Sequence, residues 1–82
     1  MFGKKRNKNT IKTEIRLDTM SDVNKFVETV GKLEDQVWLE DGQGCRVNAK
    51  SLLAVLYSLE WSKIYCYSKK DISIHLFPWM VD

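Results

Sequence analysis

"VNAKSLLAVLYSLEW", residues 47–61, decides how this chain folds. Ser51 stands directly ahead of Leu52-Leu53-Ala54-Val55-Leu56-Tyr57, an apolar run rich in helix-forming residues. A serine at that joint can accept a hydrogen bond from the free amides of a first helical turn. The stretch therefore predicts a helix over roughly 51–59. A helix lying on a sheet needs only about a 100° apolar stripe, and this run is apolar around more than one face. Leu52, Val55 and Leu59 are spaced to form the buried row, which leaves Leu53 and Leu56 to face solvent. Either a C-terminal element carrying Phe77 and Trp79 covers them, or a partner protein does.

Immediately upstream, Asp41-Gly42-Gln43-Gly44 separates two short β-prone runs, 37–40 and 45–47. Glycines there can take the positive φ values of tight turns, so a hairpin is expected. Before it, "DTMSDVNKFVETVGKL" repeats Val23, Phe26, Val27, Val30 and Leu33 at helical spacing, with Ser21 or Asp22 available as the cap. Gly31 weakens the last turn by about 1 kcal/mol relative to Ala. Earlier still, "IKTEIRL" (11–17) alternates apolar and polar residues as a half-buried strand does. Downstream, "KIYCYS" (63–68) alternates again. The segment "KKDISIHLFPWMVD" fits either a strand, through Ile72, Ile74 and Leu76, or a helix face started by Asp71 and limited by Pro78.

The order is β-α-β-β-α-β plus a short C-terminal element. It predicts an α+β fold: an open-faced sandwich in which a mainly antiparallel four-stranded sheet carries its helices on one face.

Eighty-two residues, 44% of them hydrophobic, suffice for one modest core. Lys4, Lys5, Arg6 and Lys8 carry four positive charges, so a chain of net charge +2 has a remainder of −2. Residues 1–10 read as a basic, flexible tail and 11–82 as a single domain. No apolar stretch approaches the roughly 18 residues of a membrane span, and the start lacks a signal-peptide core, so a cytoplasmic location is expected. Cys45 and Cys66 read as reduced packing residues. With the single His75 they do not complete a zinc set, so neither a metal nor a cofactor is expected. The sequence shows no Gly-rich phosphate loop and no nucleophile paired with a base, which points away from an enzyme.

The element order and length, "KFVETVGKL" in the first helix and above all "VNAKSLLAVLYSL" after the hairpin "VWLEDGQGCRVN" resemble HPr, the histidine-containing phosphocarrier of the bacterial sugar phosphotransferase system. The similarity spans about residues 11–70, and the Lys50-Ser51 pair followed by large apolar residues is its most specific part. The resemblance implies a phosphorylated His in the loop before the first helix, but that position falls at about Thr19. Met20, Ser21 and Asp22 stand where the family has a Thr-Arg-Pro pattern. The imidazole that would accept a phosphoryl group and the guanidinium that would neutralise it are both missing. The chain thus resembles a His-less member of the family, one that does no catalysis and acts through a protein partner such as a kinase or regulator of the phosphotransferase system. The same resemblance makes Ser51 a candidate for regulatory phosphorylation and assigns partner contacts to Lys50, Leu53 and Leu56.

An alternative from another class is a small nucleic-acid-binding module that uses the basic tail and the sheet aromatics. Trp38, Tyr65 and Tyr67 suit a sheet face that stacks bases. Along the sequence, however, basic residues do not interleave densely with them and the charge outside the tail is negative, so nucleic acid is the less favoured partner.

Overall fold

A computed structural model of the protein describes residues 10–81. The basic tail expected over 1–10 lies, apart from Thr10, outside the described residues. Four strands and three helices follow the anticipated order: β1 (Ile11–Ile15), α1 (Met20–Gly31), β2 (Val37–Glu40), β3 (Arg46–Asn48), α2 (Leu52–Ser58), β4 (Ile64–Ser68) and α3 (Ser73–Leu76). A 3-10 turn over Phe77–Trp79 ends the series.

The sheet is antiparallel throughout, in the order β1-β4-β2-β3. β1 and β2 are therefore parallel to one another with β4 inserted between them. Likewise β3 and β4 run parallel with β2 between. Each helix is the crossover of one such split β-α-β unit. Right-handed crossovers that run in opposite directions on oppositely oriented strand pairs place both helices on the same side. That arrangement leaves one sheet face covered and the other open.

Alternation sorts the side chains accordingly. Ile15, Val37, Leu39, Ile64 and Cys66 point under the helices, where Val23, Phe26 and Val30 of α1 and Val55 of α2 meet them, all buried. Apolar area removed from water at about 25 cal/mol per Å² is the main favourable term for this layer.

Local chemistry fixes the joints. α1 is capped by Thr19 rather than by Ser21 or Asp22. The Thr19 hydroxyl accepts the Asp22 amide at 3.1 Å, and the Asp22 carboxylate accepts the Thr19 amide at 3.2 Å, forming a capping box. In the hairpin, Gly42 and Gly44 have φ of 82° and 108°, and the Asp41 carboxylate accepts the amides of Gln43 (2.7 Å) and Cys45 (3.0 Å). Cys45 is thereby held in the turn, and β3 starts one residue later than the expected 45. A Cβ on Gly42 would lie 3.0 Å from Cε2 of Tyr65, so a side chain here would crowd that ring as well as strain the positive φ.

The ambiguous C-terminal segment takes its helical alternative, and no strand forms through Ile72, Ile74 and Leu76. It makes a single helical turn, α3, begun where the Asp71 carboxylate accepts the Ser73 amide at 3.0 Å. After Pro78 it straightens along the outer edge of β1. The Arg16 amide donates to the Trp79 carbonyl (2.8 Å), the Val81 amide donates to the Glu14 carbonyl (3.0 Å), and Met80 bridges Ile15. Trp79 is buried edge-on against Phe26 of α1, with ring centroids 5.5 Å apart.

Candidate functional site

The loop before α1 is where the resemblance puts phosphotransfer. It is filled by the chain's own carboxylate: Asp22 Oδ2 accepts the amides of both Asp18 (3.0 Å) and Thr19 (3.2 Å). Those are N–H groups at a helix N-terminus, the kind that elsewhere hold a phosphate. The Asp18 amide, followed by the Thr19 amide and hydroxyl and the Trp79 side chain, holds the Asp22 carboxyl below the usual carboxylate range. Arg16, which also lines this cleft, is paired with Asp18 (3.3 Å). The open cleft lined by Arg16, Asp18, Asp22 and Trp79 carries two carboxylates against one cation. An incoming phosphate would meet a fixed negative charge there.

At the second joint, Ser51 caps α2. Its hydroxyl accepts the Ala54 amide at 3.3 Å, and its own carbonyl takes the Val55 amide at 3.0 Å. Asn48 organises the approach: its side-chain oxygen accepts the Lys50 amide (2.9 Å) and its carbonyl accepts that of Ser51 (3.1 Å). The Lys50 ammonium is engaged, donating to the Leu33 carbonyl just beyond α1 at 2.5 Å. It ties the two helices together instead of standing free for a partner.

Along α2 the apolar residues divide differently from the expected pattern. Val55 is buried, but its neighbour in the buried set is Ser58, whose hydroxyl donates to the Val55 carbonyl at 2.6 Å. Leu56, expected to face solvent, is half-buried against the core. Leu52 and Leu59, expected in the buried row, are partly exposed, at 42% and 39%. The α2 turn is short and rolled so that Leu53 (79% exposed), Tyr57 (57%) and Leu52 (42%) form its outer apolar surface. The C-terminal element does not bury Leu53: Trp79 packs on Phe26 of α1, and Phe77 itself is 76% exposed.

The open face of the sheet holds Trp38, Tyr65 and Tyr67, as their alternation implied. Two basic residues far apart in sequence join them. Lys12 Nζ lies 4.5 Å from the Tyr65 ring centroid, and the Arg46 guanidinium lies 5.1 Å from that of Trp38 and 5.9 Å from that of Tyr67. Sequence reasoning missed this interleaving because it arises across strands. Alternation and the expected hairpin place Arg46 beside Trp38, but only the β1-β4-β2-β3 order brings Lys12 to Tyr65 and Arg46 to Tyr67.

The remaining candidates show little chemistry. Cys45 and Cys66 are free thiols, and burial pushes the Cys66 thiol up to about 12, which leaves it protonated and unreactive at neutral pH. His75 is exposed at the end of α3. No group of three or more His, Cys, Asp or Glu capable of holding a metal occurs among the described residues, and none of their helices is long and apolar enough to cross a membrane.

No family model, no curated protein and no solved structure matches the chain.

Proposed function

We propose that the protein is a non-catalytic, HPr-like interaction module of the sugar phosphotransferase system, which binds a protein partner through α2 and is switched by phosphorylation of Ser51. The observation that carries this reading is the apolar surface Leu52-Leu53-Tyr57, left exposed on a helix whose opposite side is already packed. The open-faced architecture and the Lys50-Ser51 joint support the family resemblance, and the Asp22-filled loop at Thr19 supports loss of carrier chemistry. Leu53 and its neighbours replace the set Lys50, Leu53 and Leu56 as the contact surface, since Lys50 is engaged and Leu56 half-buried. A phosphate on Ser51 would set about two negative charges beside Leu52 and Leu53 and convert an apolar contact into a charged one.

Calorimetric titration against purified Enzyme I and against HPr kinase tests the contact. At least one should bind, and Leu53→Asp should weaken that binding at least tenfold without loss of fold by circular dichroism. Absence of binding to both overturns the assignment. Incubation with phosphoenolpyruvate and Enzyme I should leave no acid-labile phosphate on the protein. With ATP and HPr kinase, phosphoserine should form at 51; if it does not, the switch is lost and Ser51 is a helix cap alone.

A further inference from the structure

The open sheet face lies on the opposite side from α2, and neither the helix surface nor the phosphotransferase reading uses it. Its side chains form two rows in register across β1, β4, β2 and β3: Lys12-Tyr67-Trp38-Asn48 and Glu14-Tyr65-Glu40-Arg46. None of these side chains is buried; Lys12, Arg46 and Asn48 are exposed and the others half-buried. Within the paired strands the face thus sets Lys12 and Arg46 against Glu14 and Glu40, around Trp38, Tyr65 and Tyr67. Balanced charge gives neither an anionic nor a cationic partner a net attraction. The charges are, however, sorted by strand: Glu14 lies on one edge strand and Arg46 on the other, at the two ends of the same row.

That placement is complementary to itself. Consider a two-fold axis parallel to the strands, midway between β4 and β2, in the plane where two such faces meet. It sets each row opposite its own copy and exchanges β1 with β3 and β4 with β2. Glu14 then faces Arg46 of the second copy, and Arg46 faces its Glu14. At the centre Tyr67 faces Trp38 and Trp38 faces Tyr67, two symmetric aromatic pairs. The Tyr65 hydroxyl meets Glu40, which can accept its proton, and Lys12 meets Asn48. No like charges are opposed. Arg46 already binds Glu40 (Nε–Oε2 2.6 Å), but a guanidinium presents five N–H donors and can hold a second carboxylate.

Four strands at about 4.8 Å and five residues at about 3.3 Å give a footprint of about 20 by 17 Å. Faces packed about 10 Å apart with strands aligned to within about 30° would bury on the order of 500 Å² per copy, against about 800 Å² for a standard interface. That suits a weak, reversible dimer. We propose that two copies of this chain pair face to face through their open sheets, with Glu14 of each against Arg46 of the other and the Tyr67–Trp38 pairs between them. The aromatic pairs supply affinity and the charge pairs fix the register.

Sedimentation equilibrium of the full chain, from about 10 to about 500 μM in low salt, tests this; a reversible dimer with a Kd of about 10–100 μM is expected. Glu14→Arg and Arg46→Glu should each raise the Kd at least tenfold, because each opposes like charges at two symmetric places. An equimolar mixture of the two variants should recover the parent affinity, since each then meets the opposite charge on the other. Tyr67→Ala should weaken the dimer at least fivefold, whereas Leu53→Asp on α2 should leave it unchanged. Circular dichroism checks each fold. Arg46 also holds Glu40, so if Arg46→Glu fails to fold, Glu14→Arg should still dimerise at least threefold more weakly than Glu14→Gln, and equal affinities of those two overturn the proposal. A chain that stays monomeric at about 500 μM overturns it as well. So does a dimer indifferent to Tyr67→Ala, a mixture of the folded charge-reversed variants that recovers nothing, or a dimer dissolved by Leu53→Asp, which would put the contact on α2.

Discussion

Thr19 and Asp22 do at this chain's N-terminal loop what a phosphate-accepting site would leave undone. They satisfy the amides of Asp18, Thr19 and Asp22 around the helix start from within the chain. Replacing Thr19 by Ala should cost about 1 kcal/mol of stability through loss of the cap, read as a lower urea midpoint at unchanged slope. Asp22 adds a pH dependence. Its carboxyl is held below the usual range by the Asp18 and Thr19 amides, so its contribution is complete at neutral pH and is lost as the pH falls from about 4 through its lowered value. Thermal melts from pH 6 to pH 2 should show the parent protein losing stability over that range. Asp22→Asn should start less stable and converge on the parent at the acid end; parallel curves would show that Asp22 does not titrate with folding. Asp22 was legible in the sequence as a helix-start residue, but which residue capped was not. Thr19, Ser21 and Asp22 all have the chemistry, and only the backbone path from Leu17 selects Thr19.

At the scale of elements, the C-terminal segment shows what periodicity leaves open. Ile72, Ile74 and Leu76 fit a strand and Ile72 with Leu76 a helix; in the fold a single helical turn buries Ile72 and Leu76, and Ile74 points outward. A four-residue helix has too little length for its pattern to be read. The same shortness explains α2. Over seven residues a rotation of one position exchanges Leu52 and Leu59 for Leu56, and the rotation is set by how the helix seats on β2 and β3, with Lys50 tied to the end of α1. The segment Trp79–Val81 covers part of the β1 edge and places Trp79 on Phe26. Trp79→Ala should therefore destabilise the domain by about 3 kcal/mol or more, and it should raise amide hydrogen exchange at Arg16, whose amide donates to the Trp79 carbonyl. Unchanged exchange at Arg16 would show that the edge pairing does not depend on the buried indole.

For the molecule as a whole, the interleaving of the two split β-α-β units has a thermodynamic consequence. Neither unit has a sheet without the other's strand, since β4 lies between β1 and β2 and β2 lies between β3 and β4. The domain should unfold in one step, with tryptophan fluorescence and far-UV circular dichroism giving coincident urea transitions; separated midpoints would mean that one unit survives alone.

The amino-acid pattern by itself determined the element order, the hairpin at Gly42 and Gly44, the cap at Ser51, and which strand residues face away from the helices. Each of these depends on neighbours within a few positions, through dihedral preference, capping chemistry or alternation. Tertiary structure decided the rest. The strand order brought Lys12 and Arg46 to Tyr65 and Tyr67, helix seating exposed Leu52 and half-buried Leu56, and a fold-back of the last residues buried Trp79. The Arg46–Tyr67, Lys12–Tyr65 and Phe26–Trp79 contacts join positions 21 to 53 residues apart. They are fixed by how one face of the sheet is covered, which no local pattern contains.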